Sequence, residues 1–253
     1  MTRKVFLSFD VEEFDMPLEY GFPISTEDQM YIGKNGLEAL KPILEDKNII
    51  VTNFVTAHFA ETYPQEIKQI SERHEIASHT YYHSQFEIFH LESSRLKLES
   101  ITQKKVSGLR MPRMKIISSR SILDAGFAYD ASIHPTWLPG RYNNLHYPRT
   151  AYNDEGLLRI PASVGPIFRI PLFWLSFKNF PFSLYKSLAL STLKQNGYLV
   201  LYFHPWEFVD IAAFGLPLYT RRLAGEALLE RLNDLIGFLR HFAEFRPMSE
   251  AVN

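Results

Sequence analysis

The sequence lacks cysteine, long apolar runs and any marked excess of charge. Without cysteine among its 253 residues it can form neither a disulfide nor a thiolate zinc site, so a bound metal would have to use histidine and carboxylate ligands. Its 27 basic and 28 acidic residues nearly cancel and form no long block of one sign, so we do not expect nucleic acid as a partner. Because no apolar run reaches about 18 residues, the sequence predicts no membrane-spanning helix.

The length and composition suit one folded core. Hydrophobic residues make up 46% of the chain, and we expect a single domain over residues 1–253. Strand-like sequence begins at Lys4, which leaves no room for the charged and apolar regions of a secretion signal, so we expect a cytoplasmic protein. Strand-like and helix-like segments alternate, an order typical of a mostly parallel sheet, open or closed into a barrel. We expect a long loop over residues 14–32 and, among the helices, one over 59–73 and a long one over 219–242.

The first predicted strand ends in carboxylates. Residues 4–11 form an apolar run rich in strand-forming residues, and Asp10 and Glu12 stand at its end. Since side chains alternate along a strand, the two acids project to the same side. Two adjacent carboxylates raise each other's pKa unless a cation lies beside them, so this pattern favours a cation site. An ordinary solvated acidic turn is the alternative.

Three later segments bring polar residues to predicted strand ends. His79 and His83 are four residues apart, which would stack two imidazoles on one face of a helical turn and let both reach one metal. Arg110 and His204 each end another predicted strand; taken singly, they read equally well as a surface cation and a core histidine. Because parallel strands end on one rim, where α/β proteins build active sites, we expect these side chains to converge.

These segments resemble the motifs of the polysaccharide deacetylases, the NodB-like group also called carbohydrate esterase family 4. The resemblance rests on residues 8–12, 78–83, 109–112, 129–133 and 201–207, whose order and spacing fit the family. Many members have adjacent aspartates in the first motif, whereas Asp10-Val11-Glu12 is similar to the branch in which the metal ligand lies two residues after the base. The resemblance implies an α/β fold that is a distorted, incomplete (β/α) barrel, often with seven strands.

The resemblance also implies a divalent metal ion as cofactor, most simply Zn²⁺. Glu12, His79 and His83 would be its ligands, a carboxylate and two imidazoles with positions left for water and substrate. Asp10 would act as the general base, and Arg110 would keep it ionised.

On the other side of the substrate, the resemblance implies that His204 is the general acid. A backbone N–H near Met111 would help to bind the oxyanion. Asp130 is a candidate to orient Arg110 or His204, and an ordinary turn-forming acid is its alternative reading.

The implied activity is hydrolysis of an N-acetyl group on an acetamido sugar, within a polysaccharide or a glycan intermediate. Two alternatives stay open: the same fold acting on a small non-sugar amide or cyclic imide, and a catalytically silent glycan-binding protein. The presence of both Asp10 and His204 argues against the silent protein, because binding alone requires neither a base nor an acid.

One aromatic segment, residues 167–190, stands apart from these motifs. Among its aromatic residues are Trp174 and Phe177, and its charges are Arg169, Lys178 and Lys186. We expect it mainly to fill the core. The alternative is a partly exposed surface that contacts a lipid-linked glycan or the membrane interface as a peripheral anchor.

Overall fold

The computed structural model describes residues 2–251 and contains one main sheet and a separate two-stranded antiparallel sheet, formed by the sixth and seventh strands. The strands are β1 Lys4–Val11, β2 Thr52–Val55, β3 Glu75–Ser78, β4 Gly108–Leu109, β5 Tyr129–Asp130, β6 Trp137–Leu138, β7 Tyr142–Asn143, β8 Tyr152–Asp154, β9 Leu157–Arg159, β10 Tyr198–Phe203 and β11 Glu244–Phe245.

The helices mostly follow the strands along the chain. They are α1 Met16–Glu19, α2 Thr26–Ala39, α3 Lys41–Leu44, α4 Ala57–Thr62, α5 Pro64–Ser71, α6 His90–Thr102, α7 Ser119–Asp124, α8 Trp174–Asn179, α9 Phe182–Asn196, α10 Leu218–Arg221 and α11 Glu226–Arg240. Short 3-10 turns lie at Pro112–Met114, Pro205–Phe208 and Met248–Ala251. In the part of the chain described, no helix has the length and apolarity needed to cross a membrane.

The main sheet is curled and mostly parallel. Parallel neighbours run in the order β10-β1-β2-β3-β4-β5-β9, while β8 pairs antiparallel with β9 at the edge and β11 pairs with the start of β1. Between β9 and β10 the chain supplies Ser163, whose N–H donates to the carbonyl of Val200 at 3.1 Å. A single loop residue, not a strand, thus forms this hydrogen bond to β10 in the segment after β9. The predicted incomplete, seven-stranded barrel is confirmed for these parallel strands.

The sheet has apolar residues on both faces, as expected for a parallel sheet covered by helices. Inside the curl, Phe6, Phe54 and Tyr129 belong to a small core, whereas Leu7 and Phe9, on the other face of β1, belong to the larger core beneath the helices. Asp10 is four residues after Phe6 in the same strand, so its side chain also points to the inner face of the sheet.

Several predicted helix boundaries are wrong. Residues 14–32 are expected to be a loop, yet α2 begins at Thr26 because the Ser25 side chain accepts a hydrogen bond from the N–H of Asp28 at 3.0 Å. The helix predicted over 59–73 is broken before Pro64, which cannot continue the hydrogen-bond ladder. The long helix predicted over 219–242 is interrupted at Gly225, whose φ of +67° is not helical.

The aromatic segment 167–190 mostly fills the core, as expected. Phe177 and Tyr185 are fully buried, and Trp174 is 8% exposed. Ile167 and Phe168 are strongly exposed, with exposed fractions of 80% and 82%, and Leu184 is 46% exposed. Contact of this segment with a lipid or a membrane stays a prediction.

Candidate active site

The predicted metal ligands converge at the carboxyl ends of β1 and β3. Glu12 Oε2 lies 3.0 Å from His79 Nε2 and 3.2 Å from His83 Nε2, and the three candidate ligand atoms lie within 4.8 Å of one another. The helical turn predicted for the two histidines is wrong. Residues 79–83 form an irregular turn with Thr80 at φ +64°, and the two rings still stack with their centroids 5.7 Å apart.

This set of side chains fits a divalent metal ion. Glu12 Oε2 is buried and has no hydrogen-bond partner among residues 2–251, an expensive state for a carboxylate oxygen unless a cation or proton occupies it. Ligands about 2.0–2.1 Å from a tetrahedral ion lie about 3.3 Å apart, close to the spacing of the Glu12 and His83 atoms. One carboxylate and two imidazoles are typical zinc ligands.

Two neighbours that the sequence analysis missed hold these ligands in place. The Nδ1–H of His83 donates to Asp15 Oδ1 at 2.7 Å, and the indole N–H of Trp206 donates to Glu12 Oε1 at 3.1 Å. Carboxylates commonly fix the second nitrogen of a metal-binding histidine in this way. Burial would lower the pKa of His83, but Glu12 and Asp15 raise it to about 9, so metal binding would release that proton.

Asp10 and Arg110 form a buried ion pair beside the ligands. Arg110 Nη1 lies 2.6 Å from Asp10 Oδ1 and also donates to Ser8 Oγ at 2.9 Å. Burial alone would raise the pKa of Asp10, but Arg110, His79 and His204 together hold it below its ordinary value. Asp10 is therefore an ionised carboxylate, as a base must be, and the predicted contact with Arg110 is present.

His204 faces Asp10 from the end of β10. Its Nε2 lies 3.9 Å from Asp10 Oδ2, while its Nδ1–H donates to Glu207 Oε1 at 3.0 Å. The backbone N–H of His204 donates to the same oxygen at 2.8 Å. This pair of bonds fixes the ring so that Nε2 points away from Glu207. Glu207 stands in the last sequence motif, and its spacing of three residues from His204 is the signal that could have revealed it.

Asp130 does not make the contact predicted for it. It pairs with Arg159 through Oδ2 at 2.7 Å and accepts a hydrogen bond from Ser132 through Oδ1, and its hydrogen-bond and ion-pair partners include neither Arg110 nor His204. Both of its oxygens are therefore occupied by other partners, so the predicted orienting role through direct contact with Arg110 or His204 is wrong.

The backbone donor predicted near Met111 is also occupied. The N–H of Met111 donates to Ser132 Oγ at 2.8 Å, so it is not free to bind an oxyanion in this conformation.

A cavity of about 290 Å³ opens over these groups. Its lining includes Asp10, Glu12, His79, His83 and His204 together with apolar and aromatic side chains such as Phe173, Trp174 and Tyr202. A concave, largely apolar site with a few converging polar groups is typical of small-molecule and active sites. Charged side chains stand at its mouth, where Glu19 binds Arg113 at 2.5 Å and lies 3.5 Å from Arg141.

Comparison with known proteins concerns the sequence family and the fold. The model of the polysaccharide deacetylase family matches residues 24–126, a range that contains the second and third motifs. The first, fourth and last motifs lie outside the matched range. No curated protein matches the sequence significantly.

Solved structures share the fold over almost the whole chain. A protein named as a polysaccharide deacetylase from Mycobacterium smegmatis is 19% identical with a TM-score of 0.66, covering 99% of this chain and 89% of its own. One so named from Pseudomonas aeruginosa PAO1 is 14% identical with a TM-score of 0.67, covering 98% and 89%. The Puue allantoinase is 14% identical with a TM-score of 0.65, covering 98% and 88%.

The likeness to these structures concerns the fold, since each identity is low. The resemblance predicted from the motifs is confirmed: residues 24–126 match the polysaccharide deacetylase family in sequence, and the chain has the fold of that family.

Proposed function

We propose that this protein is a metal-dependent hydrolase that removes the N-acetyl group from an acetamido sugar, with residues 1–253 acting as one catalytic domain. The observation that carries the proposal is the convergence of a metal-binding set, an ionised carboxylate and a histidine in one cavity. Glu12 Oε2 lies 3.0 Å from His79 Nε2, and Asp10 Oδ2 lies 3.9 Å from His204 Nε2.

Glu12, His79 and His83 would hold the ion. When bound, a divalent ion supplies Lewis acidity, which activates water and polarises the acetyl carbonyl. Zn²⁺ is the ion we expect, because the ligands are nitrogen and carboxylate oxygen.

The proton transfers belong to the side chains. Asp10, ionised and held by Arg110, accepts the proton of the attacking water. His204 donates a proton from Nε2 to the amine nitrogen as the C–N bond breaks, and its contact with Glu207 through Nδ1 leaves Nε2 as the nitrogen that faces the cavity. Acetate and a free amino sugar are the products.

A second candidate is hydrolysis of a small non-sugar amide or cyclic imide by the same side chains. The observation that favours it is the size of the cavity, about 290 Å³, which suits a compact substrate as well as one sugar unit. The fold likeness to an allantoinase adds a reason to test allantoin directly.

The test is metal analysis by mass spectrometry together with acetate release from chito-oligosaccharides. We expect one divalent ion per chain in the wild type. Asp10→Asn should keep the ion and lose acetate release by about 10²–10⁴-fold, the contribution typical of a general base. His79→Ala should lose the ion, whereas His241→Ala, a matched change at an exposed histidine, should keep both properties.

Each contrary result has a defined meaning. If metal binds but no acetyl sugar is hydrolysed, while allantoin or another cyclic imide is, the second candidate replaces the first. If no metal binds even after reconstitution, the metal-dependent mechanism is wrong and a silent glycan-binding protein becomes the better account.

A further inference from the structure

Behind His204 lies a buried ion pair whose cation, Lys178, has no role in the proposed reaction. The side chains of Lys178, in α8, and Glu207 are fully buried, and Lys178 Nζ lies 3.1 Å from Glu207 Oε2. Lys178 also donates to the backbone carbonyl of Thr220 at 2.9 Å. Removing an ammonium group from water is expensive, and a well-packed apolar side chain of similar volume often serves stability equally well. Packing alone therefore does not explain why a charged residue occupies position 178.

We infer that Lys178 is a positioning residue that keeps Glu207 ionised and, through it, sets the orientation and proton affinity of His204. The inference rests on the proposed role of His204 as general acid. Lys178 does not line the cavity, so it acts on the reaction only through these two side chains.

The two oxygens of Glu207 have separate partners. Oε1 accepts both hydrogen bonds from His204, and Oε2 faces Lys178. A carboxylate that lost its charge would become a donor at one oxygen and would disturb this arrangement. Burial would raise the pKa of Glu207, but Lys178 and His204 hold it below its ordinary value.

Aromatic rings keep this group of charges away from water. Trp206 stacks on His204 with ring centroids 4.9 Å apart, and Trp174 meets His204 edge to face at 5.3 Å. Lys178 Nζ lies 5.4 Å from the centre of the Trp174 ring. In such surroundings the charge of one group is weakly screened from the next, so removal of one cation should be felt at His204.

The direction of the effect follows from the charges around His204. The ionisable groups that face it are Asp10 and Glu12 at the end of β1, Tyr202 of β10, Glu207 of the adjoining 3-10 turn and, behind Glu207, Lys178 of α8. Burial lowers the pKa of His204, and the carboxylates raise it above its ordinary value. Without Lys178, the pKa of the buried Glu207 carboxyl should rise until it takes up a proton. A neutral Glu207 no longer stabilises the imidazolium, so the pKa of His204 should fall.

The experiment is NMR titration of the His204 ring in isotopically labelled protein, with the signal assigned through its loss in His204→Gln. Lys178→Met should lower the pKa of His204 by about one unit or more, a tenfold change in proton affinity. Lys186→Met is the matched control, since Lys186 lies over the Phe182 and Phe238 rings and not at Glu207. It should leave the pKa of His204 unchanged.

A second variant separates the inferred path from a general structural effect. In a Glu207→Gln background, Lys178→Met should cause no further change in the pKa of His204, because Lys178 acts through the carboxylate. If Lys178→Met does not fold, Lys178→Gln replaces it; this change removes the charge and keeps a donor for the Thr220 carbonyl.

The inference is overturned by an unchanged or raised pKa of His204 in a folded Lys178 variant, or by an equal fall in the Glu207→Gln background. This titration needs no substrate. Failure to find an acetylated substrate would therefore count against the proposed function alone, and an unchanged titration in an active enzyme would count against the inference alone.

Discussion

Asp10–Arg110 and Asp130–Arg159 are buried ion pairs of nearly equal length, with N–O distances of 2.6 and 2.7 Å. Both aspartates lie at the carboxyl ends of strands of one sheet, and the sequence analysis treated both as site residues. In the structure, Asp10 lines the cavity of the candidate active site, whereas Asp130 does not.

The difference lies in what the second carboxylate oxygen contacts. Asp10 Oδ2 has His204 Nε2 at 3.9 Å, beyond hydrogen-bond distance, so it is free to accept a proton. Asp130 has both oxygens engaged, one by Arg159 and one by Ser132. In the proposed mechanism, the pair with the open oxygen takes part in the chemistry, and the pair with both oxygens occupied has a structural role.

The charges around the two aspartates also differ. Burial would raise the pKa of Asp10, but Arg110 and the neighbouring histidines hold it below its ordinary value. Burial raises the pKa of Asp130 even though Arg159 lies beside it. One cation thus does not offset full burial, whereas several do.

The largest expected effect is a loss of catalytic activity when Asp10 is replaced. Asp10→Asn should lower acetate release by about 10²–10⁴-fold while the protein still folds, because Arg110 keeps Ser8 and the Ala131 carbonyl as partners. Circular dichroism melting and acetate assays check this, with Asp234→Asn, an exposed site, as the matched control. If Asp10→Asn is completely unfolded, the Asp10–Arg110 pair is also needed for folding, and the proposed difference between the two pairs is wrong.

Arg159→Met should destabilise the fold and spare the chemistry. It leaves Asp130 buried without its cation and removes the bonds from Arg159 to the Ile117 carbonyl and to Ser119, both at 2.8 Å. We expect a loss of about 3–5 kcal/mol in the free energy of unfolding, measured with urea. Arg120→Met, at an exposed arginine, should cost less than about 1 kcal/mol. If Arg159→Met is folded but inactive, the claim that the Asp130–Arg159 pair serves only the fold is wrong.

The same variant should change how stability depends on pH. Without Arg159 the pKa of Asp130 in the folded state must rise further above its unfolded value. A raised pKa gives stability that is present below the unfolded pKa and is lost as pH rises through the folded pKa. The gap between wild type and Arg159→Met should therefore widen from pH 4 to pH 8, roughly as the buried carboxyl ionises. Urea unfolding across this range measures the gap, and a constant gap would contradict the assigned cause.

Ser132→Ala should give the smallest effect. Ser132 Oγ accepts from the Met111 N–H at 2.8 Å and donates to Asp130 Oδ1, so its loss leaves that N–H and that oxygen without this partner. We expect a cost of about 1–3 kcal/mol in the free energy of unfolding. Ser187→Ala, at an exposed helical serine, is the control and should stay near wild type. Equal losses in both variants would mean that the Ser132 bonds carry no special weight.

Much of the site could be predicted from the sequence because its residues follow strands. The spacing of Asp10 and Glu12, and the positions of His79, Arg110 and His204 at strand ends, required only the period of a strand and the common edge of a parallel sheet. The turn that carries His79 to His83 was predicted as helical and is irregular, since spacing alone does not fix the path between two residues.

The partners of these side chains could not be predicted in the same way. Asp130 contacts Arg159 and Lys178 contacts Glu207, pairs separated by 29 residues in each case. Nothing in local pattern says which of several buried charges will meet, because that depends on how distant elements pack.

The sequence by itself determined which chemical groups stand at the ends of the parallel strands, because hydrophobic runs and side-chain alternation are local properties. Only the tertiary structure decided which of them remain open to the cavity. Asp10 keeps a free oxygen and Asp130 does not, and this difference arises from neighbours brought together by packing. Reactivity depends on unsatisfied hydrogen-bonding capacity and local charge, and both are properties of the folded neighbourhood of a residue.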